Sequence, residues 1–111
     1  GNDFSSATNN VVIGKCAGCT ITTGCNNIAI GLKAMGTGVV TGNCNVFIGT
    51  YTGGAITNAT YNVALGKGAL NSVTSGSNNV AIGKHAGENI TTSSNLFMPV
   101  RIFACRLPIE P

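Results

Sequence analysis

The stretch Asn79-Val80-Ala81-Ile82-Gly83 is one copy of a five-residue pattern, Asn-apolar-X-apolar-Gly, that decides the fold of this chain. Earlier copies begin at Asn10, Asn27, Asn45 and Asn62. Successive copies are 17 or 18 residues apart. Such a short, fixed period is typical of repeat proteins, in which each unit buries its apolar side chains against the next unit.

Each copy of the pattern predicts a short β-strand that ends at its glycine. Residues i and i+2 of a strand lie on one face, so we expect Val80 and Ile82, with their equivalents, to point into the coil. The glycine suits a turn with positive φ. A third apolar residue follows each glycine and should also point inward: Ile21, Val39, Ile56, Val73 and Ile90. The sequence therefore predicts an all-β fold, a β-solenoid or β-roll of coils of about 17 residues.

Composition supports one such domain with two flanking segments. Sixteen glycines and the recurring β-branched valine and isoleucine disfavour helices. Residues 1–8 are predicted to be an N-terminal cap or linker, and residues 9–97 the repeat array. Residues 98–111 are predicted to be an apolar capping or docking tail, because Pro99 removes a ladder donor where the sixth coil would continue.

The middle position of each strand predicts a contact with another subunit. We expect it to face outward, yet it is apolar in every copy, and a strand that is apolar on both faces is usually covered on both. The tail is apolar as well and could dock on a neighbour as an added strand. The predicted self-assembly interface comprises Val12, Ala29, Phe47, Ala64, Ala81, Val100, Ile102, Phe103, Leu107 and Ile109.

The asparagine that opens each copy predicts an amide ladder. In stacked coils, residues at equivalent positions lie directly above one another, and asparagine side chains can then bond to their neighbours. We expect this arrangement along Asn10, Asn27, Asn45, Asn62 and Asn79.

These repeats resemble the head repeats of trimeric autotransporter adhesins, whose signature is close to Asn-Ser-Val-Ala-Ile-Gly. The copies at 79–83 and 27–31 match it best, and the resemblance covers residues 9–97. Similar repeats of longer period occur in phage tail fibres and in viral or cell-surface fibrous proteins. The resemblance implies a left-handed β-roll, three chains side by side, and an adhesive or structural role outside the cell or on a virion surface. The period here is longer than that of the compact adhesin repeat.

The cysteines predict disulfides, which belong to an oxidising, extracellular setting. The candidates are Cys16, Cys19, Cys25 and Cys44, and the fifth cysteine is Cys105. The alternative is that some are small buried apolar residues. A zinc site is not expected, since Cys16 and Cys19 form a CxxC without a second pair. Asn58 and Asn89 open glycosylation sequons.

Catalysis and cofactors are not expected. The acids are Asp3, Glu88 and Glu110, and the histidine is His85, with no pair or triad spaced for chemistry. A net charge of +3 carried by scattered cations argues against nucleic acid as a partner. The sequence contains no run of 18 apolar residues, so no transmembrane helix is predicted.

The predicted function is that of a non-catalytic structural or adhesive protein, a self-assembling extracellular fibre or filament module whose partners are copies of itself, as a trimer or end to end. The alternative is a solenoid that binds a glycan or ice. Lys15, Lys67 and Lys84 would offer a basic stripe to an acidic glycan, or simply oppose aggregation at an edge. Thr22, Thr57, Thr74 and Thr91 would form an ice-binding rank, or simply reflect the strand preference of threonine.

Overall fold

The computed structural model describes residues 7–98, and these residues form a β-solenoid. Each coil contributes one short strand to a parallel sheet in which strand order follows chain order. The prediction of an all-β solenoid with strands about 17 residues apart is confirmed. The strands are β1 (Val11–Ile13), β2 (Ile28–Ile30), β3 (Val46–Ile48), β4 (Val63–Leu65), β5 (Val80–Ile82) and β6 (Phe97–Met98).

Neighbouring strands pair in register, so residues at the same position of the repeat lie above one another. Val46 pairs with Val63, and Phe47 pairs with Ala64. The amide of Gly49 donates to the carbonyl oxygen of Ile30 at 2.7 Å, which extends the ladder past the end of the strand. The equivalent residues of successive coils therefore form straight ranks along the solenoid.

The predicted orientation of the strands is wrong. Ala29, Phe47, Ala64 and Ala81 are fully buried inside the solenoid, and Val12 packs against the same core. The first and third strand residues face outward instead, and 57% of Ile13 is exposed. The four fully buried middle residues offer no surface to a partner, so the interface predicted at their positions does not exist there.

The middle residue of each strand, rather than the first and third, points inward because the interior of the coil is narrow. The turn opposite the strand already places apolar side chains there. The middle residue is alanine in β2, β4 and β5. Where it is Phe47, the opposite turn has Gly53, and a Cβ atom at Gly53 would lie 2.0 Å from Cδ2 of Phe47. The aromatic ring therefore occupies the space that a side chain at Gly53 would need.

The core continues through one apolar residue on the far side of each coil. Ile21, Val40, Ile56 and Val73 are fully buried there. The prediction named Val39 for the second coil, but Val40 pairs with Ile21 and Val39 is 57% exposed. The longer second coil has shifted its inward residue by one position, and this turns Val39 outward.

The glycine that ends each strand is required by both conformation and stacking. Gly31 has a φ of 126°, and a Cβ atom there would lie 2.7 Å from the carbonyl carbon of Gly49 in the next coil. The prediction of a positive-φ turn at this glycine is confirmed. The remaining predictions for residues 1–6 and 99–111, including the apolar tail and Cys105, lie outside the described residues.

Candidate functional site

The outer face of the sheet carries two columns of apolar side chains, which we call the outer apolar face. They come from the first and third residues of the strands, which alternate with the buried middle residue. Ile48 is 37% exposed, Ile82 41% and Phe97 65%. The outer apolar face comprises Val11, Ile13, Ile28, Ile30, Val46, Ile48, Val63, Leu65, Val80, Ile82 and Phe97.

The area of this face follows from the spacing of the strands and of the residues along them. Strands about 4.8 Å apart and residues about 6.7 Å apart along each strand give, with side-chain width, roughly 300–400 Å² of continuous apolar surface. Exposed patches of about this size on soluble proteins are often functional. Leu32, in the turn after β2, is another exposed apolar residue, with 37% exposure.

The asparagine rank holds the strands behind this face in register. Oδ1 of Asn45 accepts the amide of Asn62 at 3.0 Å and the side-chain Nδ2 of Asn62 at 3.1 Å. Nδ2 of Asn62 also donates to the carbonyl oxygen of Gly76 at 2.9 Å, near the end of the same coil. The predicted ladder of side-chain bonds is present from Asn27 through Asn45 to Asn62, and the Nδ2 group of each asparagine in the rank also closes its own coil.

The ladder begins and ends with partial links. The amide of Asn27 donates to Oδ1 of Asn10 at 2.8 Å. At the other end, Leu96 stands where the next asparagine would be, and its amide donates to Oδ1 of Asn79 at 2.9 Å. The backbone part of the pattern therefore extends into the sixth coil without an asparagine side chain.

The lysine rank is interrupted. Lys15, Lys67 and Lys84 are exposed at the position after the strand glycine, but Leu32 and Thr50 hold that position in the second and third coils. Only Lys67 and Lys84 are on adjacent coils, so the predicted basic stripe is reduced to one pair and one separate lysine.

The threonine rank uses its hydroxyl groups within the solenoid. Oγ1 of Thr57 donates to the carbonyl oxygen of Thr74 at 3.0 Å, and Oγ1 of Thr74 donates to that of Thr91 at 3.4 Å. Thr22 makes the same bond to Val40 at 3.4 Å. These hydroxyl hydrogens bind the next coil, which weighs against a surface that orders water.

The four cysteines that the structure describes are free thiols, so the predicted disulfides stay a prediction. Cys25 accepts a hydrogen bond from Oγ1 of Thr8 at 3.3 Å. This bond lowers the pKa of the Cys25 thiol, because it stabilises the thiolate. Cys44 occupies the following position of the next coil, and its amide donates to the carbonyl oxygen of Cys25 at 3.0 Å.

The remaining polar candidates lie in exposed turns. Nδ1 of His85 is 2.9 Å from Oε1 of Glu88, and both side chains are nearly half exposed. Asn58 and Asn89, the sequon asparagines, are exposed, and glycosylation stays a prediction. Within residues 7–98, no group of three or more His, Cys, Asp or Glu side chains could hold a metal ion.

Comparison of the chain with protein-family models, curated proteins and solved structures finds no match. Residues 7–98 contain no helical segment that could span a membrane.

Proposed function

We propose that this chain is a non-catalytic structural or adhesive module that assembles with copies of itself, and that the outer apolar face is its contact surface. The proposal rests on one observation: the first and third residues, which form the two columns of that face, are apolar in every strand that contributes to it. A parallel sheet normally has both faces covered. In this solenoid the turns cover only the inner face.

The size of the face bears on the kind of assembly. Burial of roughly 350 Å² of apolar surface contributes on the order of 9 kcal/mol per chain before the cost of association. That cost is itself about 4–15 kcal/mol for each pair. A pair buries this face on both chains, for about 18 kcal/mol in all, so contact through the face is favourable. The trimer that we propose follows the resemblance of these repeats to the heads of trimeric adhesins.

The ends of the sheet offer a second, distinct contact. β1 and β6 are its edge strands, and an exposed strand edge can pair with another chain. Pairing of one chain's β6 end with another chain's β1 end is a heterologous contact, which propagates into a filament. A fibre or filament outside the cell, or on a virion surface, is the setting that we propose for either assembly.

A charge placed on the outer apolar face tests the proposal. Ile48→Lys introduces a cation at the centre of the face, and we expect it to reduce the mass measured by light scattering to that of one chain. Val39→Lys is the matched control, because Val39 is exposed but lies outside the strands of the sheet. Ile48→Lys protein that stays folded and assembles like the unaltered chain would contradict the proposal.

Binding of an acidic glycan is the alternative function. It is favoured by Lys67 and Lys84, which are exposed on adjacent coils. A glycan array with Lys67→Ala/Lys84→Ala as the comparison would decide it. Loss of binding in that variant, with assembly unchanged, would support the glycan function.

A further inference from the structure

The first coil brings two cysteines together in a reverse turn. The amide of Cys19 donates to the carbonyl oxygen of Cys16 at 3.4 Å, which is the i to i+3 bond of a β-turn. The terminal Cα atoms of a β-turn are less than about 7 Å apart. A disulfide spans a Cα separation of about 4.4–6.8 Å, so the backbone already holds these cysteines in that neighbourhood.

The equivalent turn of the fifth coil shows that side chains at these two positions meet. His85 and Glu88 occupy them, with the same main-chain bond at 3.2 Å and a side-chain contact of 2.9 Å. The φ angles of Cys16 and His85 are 56° and 59°. Because the two turns share this backbone, the side chains of Cys16 and Cys19 leave it in the same directions as those of His85 and Glu88.

The two thiols differ in exposure, and they interact. Cys16 is exposed, whereas Cys19 is half-buried. Partial burial, together with a hydrogen bond to Cys16, raises the pKa of the Cys19 thiol. Cys25 lies in a different turn, and its sulfur interacts with Thr8 and with the carbonyl oxygen of Thr23.

We propose that Cys16 and Cys19 form a thiol–disulfide exchange site that reacts with small-molecule disulfides such as oxidised glutathione. The exposed Cys16 thiolate attacks one sulfur of the small disulfide, forms a mixed disulfide and releases one small thiolate. The Cys19 thiolate then attacks the Cys16 sulfur, closes the disulfide within the turn and releases the second small thiolate. The two protons lost by the cysteines end on the released thiols, so the cysteines are oxidised as the small disulfide is reduced.

Peptide mapping of the full chain after incubation with oxidised glutathione tests this site. Trypsin cleaves after Lys15 and Lys33, which leaves Cys16, Cys19 and Cys25 in one peptide. We expect that peptide to lose two hydrogens, with fragmentation placing the bond between Cys16 and Cys19. The same bond should form in Cys25→Ser, the matched control.

The single variant Cys19→Ser reports the order of the two steps. It cannot resolve the mixed disulfide, so glutathione should remain on Cys16. In the unaltered chain, the Cys19 thiol attacks the adduct on Cys16 at an effective concentration in the millimolar range or above, and so removes it. We therefore expect the adduct on Cys16 to be at least about tenfold more abundant in Cys19→Ser than in the unaltered chain. A bond from Cys16 or Cys19 to Cys25, Cys44 or Cys105 would overturn the proposal. Stable glutathione adducts on both Cys16 and Cys19 of the unaltered chain would also overturn it.

Discussion

The side-chain Nδ2 of Asn62 donates to Oδ1 of Asn45 at 3.1 Å, and both residues are fully buried between adjacent coils. The same Asn45 oxygen accepts the amide of Asn62 at 3.0 Å. Each side chain thus fixes the register between two strands, and the strand residues on either side of the buried middle position are turned outward. The ladder keeps the strands in register, so their first and third residues line up on the outer side of the sheet.

Asn62→Ala should destabilise the solenoid strongly. It leaves the buried amide of Asn79 without its acceptor, Oδ1 of Asn62, and leaves the carbonyl oxygen of Gly76 without its donor. Buried groups that lose their partners cost about 1–3 kcal/mol each, so we expect the free energy of unfolding to fall by roughly 2–4 kcal/mol. Urea denaturation measures it. Asn58→Ala, at an exposed asparagine, is the control, and equal stability of the two variants would refute the role given to the ladder.

The two adjacent glycines opposite Phe47 should respond differently to alanine. At Gly53, the new Cβ atom would lie 2.0 Å from the ring of Phe47, and φ is 59°. At Gly54, the nearest atom would be 3.6 Å away. We therefore expect Gly53→Ala to lower the free energy of unfolding by about 1–3 kcal/mol and Gly54→Ala to change it by less than about 1 kcal/mol.

A double-mutant cycle isolates the contact between the ring and this turn. Phe47→Ala alone should cost about 3–5 kcal/mol, because it leaves a cavity in the core. Combined with Gly53→Ala, it should cost less than the sum of the two single changes, since the new methyl group enters the space that the ring vacated. Strict additivity, measured by thermal or urea unfolding, would contradict the packing described for Phe47.

The hydrogen bond from Thr8 should make Cys25 a more acidic thiol than an ordinary cysteine. Since the bond lowers the pKa of Cys25 in the folded chain, the thiolate forms at lower pH, and alkylation should begin at lower pH than in unfolded protein. Thr8→Val removes the donor, so the pH midpoint of alkylation should move upward. Iodoacetamide labelling in a Cys16→Ser/Cys19→Ser background measures it, and an unchanged midpoint would show that the bond has no effect.

The sequence was sufficient to predict the coils, the strand at each copy of the pattern, the turn glycine and the asparagine ladder, because each follows from a residue that recurs at the same position. It did not lead us to the correct strand orientation, because Val80-Ala81-Ile82 is apolar at all three positions and fits either one. A usable signal was the asparagine itself. Asn79 is two residues before Ala81, so burying Asn79 in the ladder places Ala81 on the inner face as well.

The second coil shows a different limit. Val39 and Val40 are both valines, and only the pairing of Val40 with Ile21 decides which one is buried. The pairing between coils depends on which part of the second coil holds its additional residue. Packing of the whole coil decides this, not the conformational preference of single residues. The outer apolar face is also a non-local feature, because it exists only where the turns of the folded solenoid leave the sheet uncovered.

The mass of the unaltered chain by light scattering, measured over a range of concentrations and paired with negative-stain images, tests self-assembly most directly. We expect a mass of about three chains, or long fibres of uniform width if the ends of the sheet also pair. A mass of 11.1 kDa, that of one chain, at every concentration would contradict the account, because the outer apolar face would then be stable in water without a partner.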